Sequence, residues 1–368
     1  MLDPGPLVPR PAPAAPTPRA DRLRGLLAGG GAQTFGLTLG AIVLALVITA
    51  GLILLAGKNP VTAYGALLRG AFGSLDRLAF ALNKSTPYII TGVGVALCFR
   101  AKVINIGGEG QIALGGIAAS FVVLMAPASL PAPLLLSLAM LAGAAAGALW
   151  ALLAAFVFIK RNVHEVLCTL LLNFVGVLLV SEVLHAPLGE EGAGFPQSPL
   201  FPRAGWLPGL IAGTDLHIGI LFAVAAAVLG HVLLWRTTFG FRLRILGASR
   251  PAAAYVGLSA ARSTALVMAI AGALAGLAGG IEVSGVHNRL IEGFSHGFGF
   301  NAVAVALIAG LNPLAVLPAG LFLGFLEAGT LAMQREVGVP SSLVYVIEGL
   351  MMVFVLCAVG MGARNRKV

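Results

Sequence analysis

Hydrophobic positions in this chain come in long blocks, not in the alternating or three-to-four spacing of a half-buried surface. Ten apolar segments stand out: 34–56, 86–99, 106–126, 133–159, 165–184, 215–235, 264–281, 299–311, 314–331 and 342–360. Crossing the hydrocarbon core takes about 20 apolar residues per helix, and most of these blocks approach or exceed that. The pattern predicts an all-α, polytopic transmembrane helical bundle of about ten membrane segments. Two segments, 86–99 and 299–311, hold only 14 and 13 residues. Each runs into a polar or Gly/Pro-rich break, at 100–110 and 310–313. Interrupted backbone survives at membrane depth only where protein or a water-filled cavity satisfies its N–H and C=O groups. One broken segment in each half predicts a two-half internal repeat around a central path.

Composition supports lipid as the solvent. The 368 residues are 58% hydrophobic and 10% charged, where soluble domains carry about 25% charged residues. The net charge of +9 is read by location before any nucleic-acid partner is considered, and no such partner is predicted. If each segment crosses once from a cytoplasmic N-terminus, the inside connections are 1–33, 100–105, 160–164, 236–263, 312–313 and 361–368. They hold 16 of the 23 Lys and Arg. That bias predicts a multi-pass membrane protein with both termini cytoplasmic. Four of the remaining cations, Lys58, Arg69, Arg77 and Lys84, fall in 57–85, read as an amphipathic stretch lying on the outer interface. Residues 1–33, rich in Pro, Ala and Arg, predict a disordered cytoplasmic tail. The domain proper is then 34–360, with a second short tail at 361–368. The apolar run begins too far from the N-terminus for a cleavable signal peptide. Cys98, Cys168 and Cys357 lack metal or disulfide spacing and read as small packing residues.

The most polar interruption is "FRAKVINIGGEGQIALGG" at 99–116. Gly108, Gly110 and Ala113 fit a dinucleotide fingerprint, but no acid occurs between Glu109 and Glu165 to hold a ribose. The stretch at Lys58 is no P-loop, since Leu52 and Asn59 replace the required Gly and Ser/Thr. No catalytic set or metal-ligand spacing occurs, so an enzyme is not expected. An ionised Glu109 facing lipid would cost several kcal/mol, so the break is expected to face the bundle interior. Loop 236–263 is basic, and is either a loop near anionic headgroups or a docking site for a cytoplasmic partner. Loop 185–214, with Glu190, Glu191 and five prolines, could receive an external protein. Glutamates in or near apolar runs, Glu109 and Glu327 among them, leave an alternative: an ion-coupled secondary transporter.

Five ordered stretches resemble one family: "CFRAKVINIGGEGQIALGG" (98–116), "TLLLNF" (169–174), "GASRPAAAYVGLS" (247–259), "AGALAGLAGG" (271–280) and "GFGFNAVAVALIAG" (297–310). Together they look like the permease subunit of bacterial ATP-binding cassette importers of the branched-chain amino acid, simple sugar and nucleoside class. The form at 105–111 is most similar to nucleoside-importer permeases. The resemblance covers about residues 34–360. It implies a second permease subunit, the same or different, and two cytoplasmic ATP-binding subunits. It also implies an external substrate-binding lipoprotein and surrounding membrane lipid. No cofactor is implied in this chain, because ATP sits in the partners. Asn105, Gly107, Gly108, Glu109, Gln111, Asn173 and Asn301 would line the substrate path. Gly247, Arg250, Ala252, Ala253 and Gly257 would belong to the ATPase-coupling loop. Three positions depart from the family pattern: Arg250 stands before Pro251 in place of Asn, Asn301 in place of Asp, and Ala271 in place of Ser. Neutral, flat, polar nucleosides suit a path of amides, carbonyls and small residues.

Overall fold

The structure, a computed structural model, describes residues 31–185 and 188–365. The tail at 1–33 therefore lies outside the described residues except for its last three, which open the first helix. The end of the 361–368 tail lies outside them as well.

The described chain is built from helices: α1 (Gly31–Leu55), α2 (Pro60–Phe72), α3 (Leu75–Arg100), α4 (Gly108–Met125), α5 (Ala132–Arg161), α6 (Glu165–His185), α7 (Gly219–Arg236), α8 (Thr238–Ala248), α9 (Arg250–Tyr255), α10 (Ala260–Glu282), α11 (Phe298–Ile308), α12 (Val316–Val337) and α13 (Ser341–Asn365). Among the described residues, eight helices are long and apolar enough to cross a membrane: α1, α4, α5, α6, α7, α10 with its continuation, α12 and α13. The expected ten segments are reached only by adding α3, which is long but polar, and α11, which is too short to cross.

Segment 86–99 is not a short helix. It is the second part of the 26-residue α3, about 39 Å long at 1.5 Å per residue. The stretch 57–85 is likewise not one interfacial loop. Asn59 caps α2, Ser74 caps α3, and the chain from Asn83 to Cys98 is buried without interruption. Packed by α7, α10, α11 and α12, α3 meets little lipid. Its Asn83, Lys84, Ser85 and Thr86 are paid for by protein contacts, which is why hydropathy alone misses the first half of the helix. The expected pair of short broken segments is therefore not a pair; only α11 is short.

The second packing centre joins α10 to α4 and α5 through small residues. A Cβ added at Gly276 would lie 2.2 Å from the carbonyl oxygen of Gly143, and one at Gly147 would lie 2.2 Å from that of Gly272. With no hydrophobic drive between helices in lipid, such backbone contact supplies the dispersion that holds them. Beyond α10 the helix continues as a π-turn, Val283–His287. The connection 188–218 is tied across this turn: Leu207 N–H donates to the Ser284 carbonyl at 2.9 Å, and Phe201 N–H to that of Asn288 at 2.9 Å.

Candidate functional site

Between α3 and α4 the N–H groups of Ala101, Lys102 and Val103 still reach back to the Cys98 and Phe99 carbonyls, but those of Ile104, Ile106 and Gly107 are met by side chains. Asn105 Oδ1 accepts from the N–H of Gly107 at 2.9 Å and from Gln111 Nε2 at 3.2 Å. Asn173, on α6, donates to the Ile106 carbonyl at 2.7 Å and accepts from the N–H of Gly110 at 2.8 Å. Thr169 Oγ accepts from the N–H of Ile106 at 3.4 Å. The amides gathered by the sequence thus meet as a buried frame that completes the broken backbone.

Glu109 acts on a different element. Its Oε1 accepts from Ser295 Oγ at 2.6 Å and from the N–H of Gly297 at 3.0 Å, and its Oε2 accepts from the N–H of Gly299 at 2.7 Å. The carboxylate therefore caps the N-terminus of α11, where unpaired N–H groups and the helix dipole favour negative charge. Gly108 stands close to the same place: a Cβ there would lie 3.1 Å from Gly299 Cα.

Of the expected path residues, Asn301 lines a cavity, one of about 500 Å³. Asn105, Gly107, Gly108, Glu109, Gln111 and Asn173 are buried and do not line it. Phe80, Tyr88, His296, Phe300, Glu327, Tyr345 and Glu348 share the lining. Lys84 Nζ lies 3.1 Å from Glu327 Oε1 and 5.2 Å from the centroid of the Phe298 ring. Tyr88 donates to Glu327 Oε2 at 2.7 Å, and Asn301 Nδ2 donates to the Tyr88 hydroxyl at 3.3 Å. Burial and the Lys84 ammonium hold His296 below the ordinary histidine range, which favours a neutral ring. Lys84, Phe80 and Val286 also border a second cavity of about 620 Å³, lined by Asn83, Arg203, Trp206, His217 and Asn288. Sequence reading placed Lys84 at an interface. Its partner Glu327 is far along the chain, so no local signal joined the two. Among the described residues no group of three or more His, Cys, Asp or Glu is placed to hold a metal ion.

At the other end of the bundle, loop 236–263 folds into α8 and α9. Thr237 caps α8 by accepting from the N–H of Gly240 at 3.1 Å, and Ser249 caps α9 by accepting from that of Ala252 at 3.3 Å. Gly257, at φ 74°, takes the left-handed turn out of α9. Arg250 and Ala252 are exposed, whereas Ala253 is buried within the chain's own core. Gly247 is buried too: a Cβ there would lie 1.9 Å from the Arg100 carbonyl oxygen. Sequence reading passed over Tyr255, which is 94% exposed beside exposed Val256.

A family model described as "Branched-chain amino acid transport system / permease component" matches residues 77–356, from within α3 to within α13. The chain belongs to this family of permeases. Among curated relatives, the glucose ABC transporter permease of Haloferax volcanii is 36% identical over 85% of each chain. The guanosine ABC transporter permease of Bacillus subtilis is 34% identical over 86% of this chain and 91% of its own. The nucleoside ABC transporter permease of Lactococcus lactis is 29% identical over 88% of each. This permease is therefore a multi-pass transport subunit and not an enzyme. Its family implies ATPase subunits and a substrate-binding protein as partners. An ion-coupled carrier has no support beside that assignment.

Proposed function

We propose that this permease imports a nucleoside or a closely related polar heterocycle, received from an external binding lipoprotein and driven by two cytoplasmic ATPase subunits. The carrying observation is the cavity around Asn301. Phe80, Tyr88, Phe300 and Tyr345 offer flat rings, and Asn301 offers an amide beside them. Of the charges at its wall, Lys84 is paired with Glu327 at 3.1 Å, and Arg335 and Glu348, one of each sign, balance in number. Such a lining suits a flat, neutral solute that must bind weakly enough to leave. The named solutes of the Bacillus subtilis and Lactococcus lactis relatives agree with this. In this reading Asn105, Gly107, Gly108, Glu109, Gln111 and Asn173 serve the path by fixing the break that positions Gly297 and Asn301. The 236–263 loop, with Arg250, Ala252 and Tyr255 exposed, docks the ATPases on the cytoplasmic side, where both termini also lie. A second permease, the same or different, completes the membrane unit.

The test is uptake into proteoliposomes holding the permease, its ATPases and the cognate lipoprotein. ATP-dependent accumulation of labelled guanosine, competed by other nucleosides and not by glucose, is the expected result. Glucose uptake indifferent to nucleosides would overturn the substrate assignment.

A further inference from the structure

The short helix α11 is held at both ends by charged side chains from other helices. At its N-terminus stands the Glu109 carboxylate, accepting from Gly297 and Gly299. Past its C-terminus, Gly310 and Leu311 turn through left-handed conformations at φ 59° and 58°. Their carbonyl oxygens accept from Arg100 of α3, that of Leu311 from Nε at 3.0 Å and that of Gly310 from Nη2 at 3.4 Å. An anion at the N-terminus and a cation at the C-terminus both match the helix dipole. The helix between them spans about 16 Å.

The Arg100 end is wired to the docking loop. The Arg100 guanidinium lies 5.5 Å from the centroid of the Trp235 ring on α7, and the Arg244 guanidinium, on α8, lies 4.7 Å from that same centroid. Gly247, one turn further along α8, packs directly on the Arg100 backbone. The Glu109 end meets the cavity. Phe298 sits edge-on to Tyr88 with centroids 5.0 Å apart, and Asn301 and Phe300 are part of the lining. One rigid element thus touches the docking loop through two side chains and the solute cavity through its first turn.

We propose that α11 is the strut that carries ATPase-driven movement of loop 236–263 to the solute cavity, with Arg100 and Trp235 as its positioning residues. The proposal rests on loop 236–263 being the ATPase docking site. Movement of α8 displaces Arg244 and Gly247, and with them Trp235 and Arg100. Arg100 pulls or pushes the Gly310–Leu311 carbonyls, and the hydrogen-bonded helix passes that displacement to Gly297 and Asn301. Arginine suits the place where lysine would not: its planar fork reaches two successive carbonyls while lying against an aromatic ring.

The test compares solute uptake with ATP hydrolysis in the reconstituted complex of permease, ATPases and lipoprotein, for wild type, Trp235→Leu and Arg100→Lys. Solute moved per ATP is expected to fall about tenfold in both variants while ATPases still co-purify and hydrolyse ATP. An unchanged ratio with ATPases bound would overturn the strut. Loss of ATPase binding in these variants would also overturn it, since the two residues would then hold the docking surface and transmit nothing. If Trp235→Leu does not fold, Trp235→Phe keeps a ring at the same depth and is expected to give an intermediate ratio; a wild-type ratio there together with one in Arg100→Lys counts against the proposal. The docking premise fails separately, when Tyr255→Ala together with Arg250→Glu leaves ATPase association untouched.

Discussion

The carboxylate of Glu109 accepts a hydrogen bond from the backbone N–H of Gly299 at 2.7 Å, joining the starts of α4 and α11 across 190 residues of chain. A Cβ added at Gly299 would lie 2.0 Å from the Glu109 nitrogen, so the two backbones touch with no room for a side chain. Glu109→Gln presents an amide N–H to one of the N–H donors that the carboxylate now satisfies. A buried donor left without an acceptor costs about 1–3 kcal/mol. The variant is expected to melt well below wild type in detergent, and Gly299→Ala lower still because backbone must move. Wild-type melting of both would remove the cap from the account of this fold.

Lys84 and Glu327 form a pair whose side chains are 9% and 13% exposed. Removing one partner strands the other charge. Lys84→Met is expected to destabilise by about 3–5 kcal/mol, while Lys84→Met combined with Glu327→Gln recovers most of that loss. Thermal unfolding of the three proteins decides it. A double variant no better than the single would mean that Lys84 acts through packing on Phe298 and not through the pair.

Tyr255 stands exposed on α9, whereas Ala253 of the same turn is buried. Tyr255→Ala is expected to leave permease stability unchanged and to weaken ATPase association by about 2 kcal/mol or more, the range for a central aromatic anchor. Ala253→Arg is expected instead to disrupt the permease itself, because the new side chain has no space. Co-purification with the ATPases, set beside melting temperature, separates the two effects.

His217 lies just before α7, 2% exposed, and its Nδ1 accepts from the N–H of Gly219 at 3.1 Å. Burial holds its pKa below the ordinary value, against the opposing pull of Glu282. The folded state therefore binds fewer protons here than the unfolded one. Its stabilising contribution is complete above about pH 6.5 and declines as pH falls below that. Protection factors for amide exchange in 207–219, corrected for the intrinsic pH dependence of exchange, are expected to fall on acidification below that point and to stay level above it. His217→Gln should abolish the pH dependence; exchange that follows pH equally in that variant would place the effect elsewhere.

Part of this architecture was legible in the sequence because lipid imposes a local rule. Helices α1, α5, α6, α7 and α13 face lipid over much of their length, so each must carry about 20 apolar residues in a row, and each reads plainly. The interruption at 100–110 was legible for the same reason, since polar residues and glycines cannot stand in lipid without a purpose. Helix α3 was misread because it is enclosed by other helices and is free to be polar. Its neighbours come from the far half of the chain, so nothing near residue 84 announces that Glu327 waits there. The 247–259 stretch was recognisable as a motif, but the exposed side chain on it, Tyr255, was not distinguishable from the buried Ala253 two positions away.

The chain's apolar blocks and basic connections determined by themselves that it is a helical membrane protein, since the transfer of each segment from water to lipid depends only on that segment's own residues. The meeting of Glu109 with α11, of Lys84 with Glu327 and of Arg100 with Trp235 was decided only when the helices packed. Each of these contacts joins residues from separate helices, and the energy of a pair depends on where both members stand.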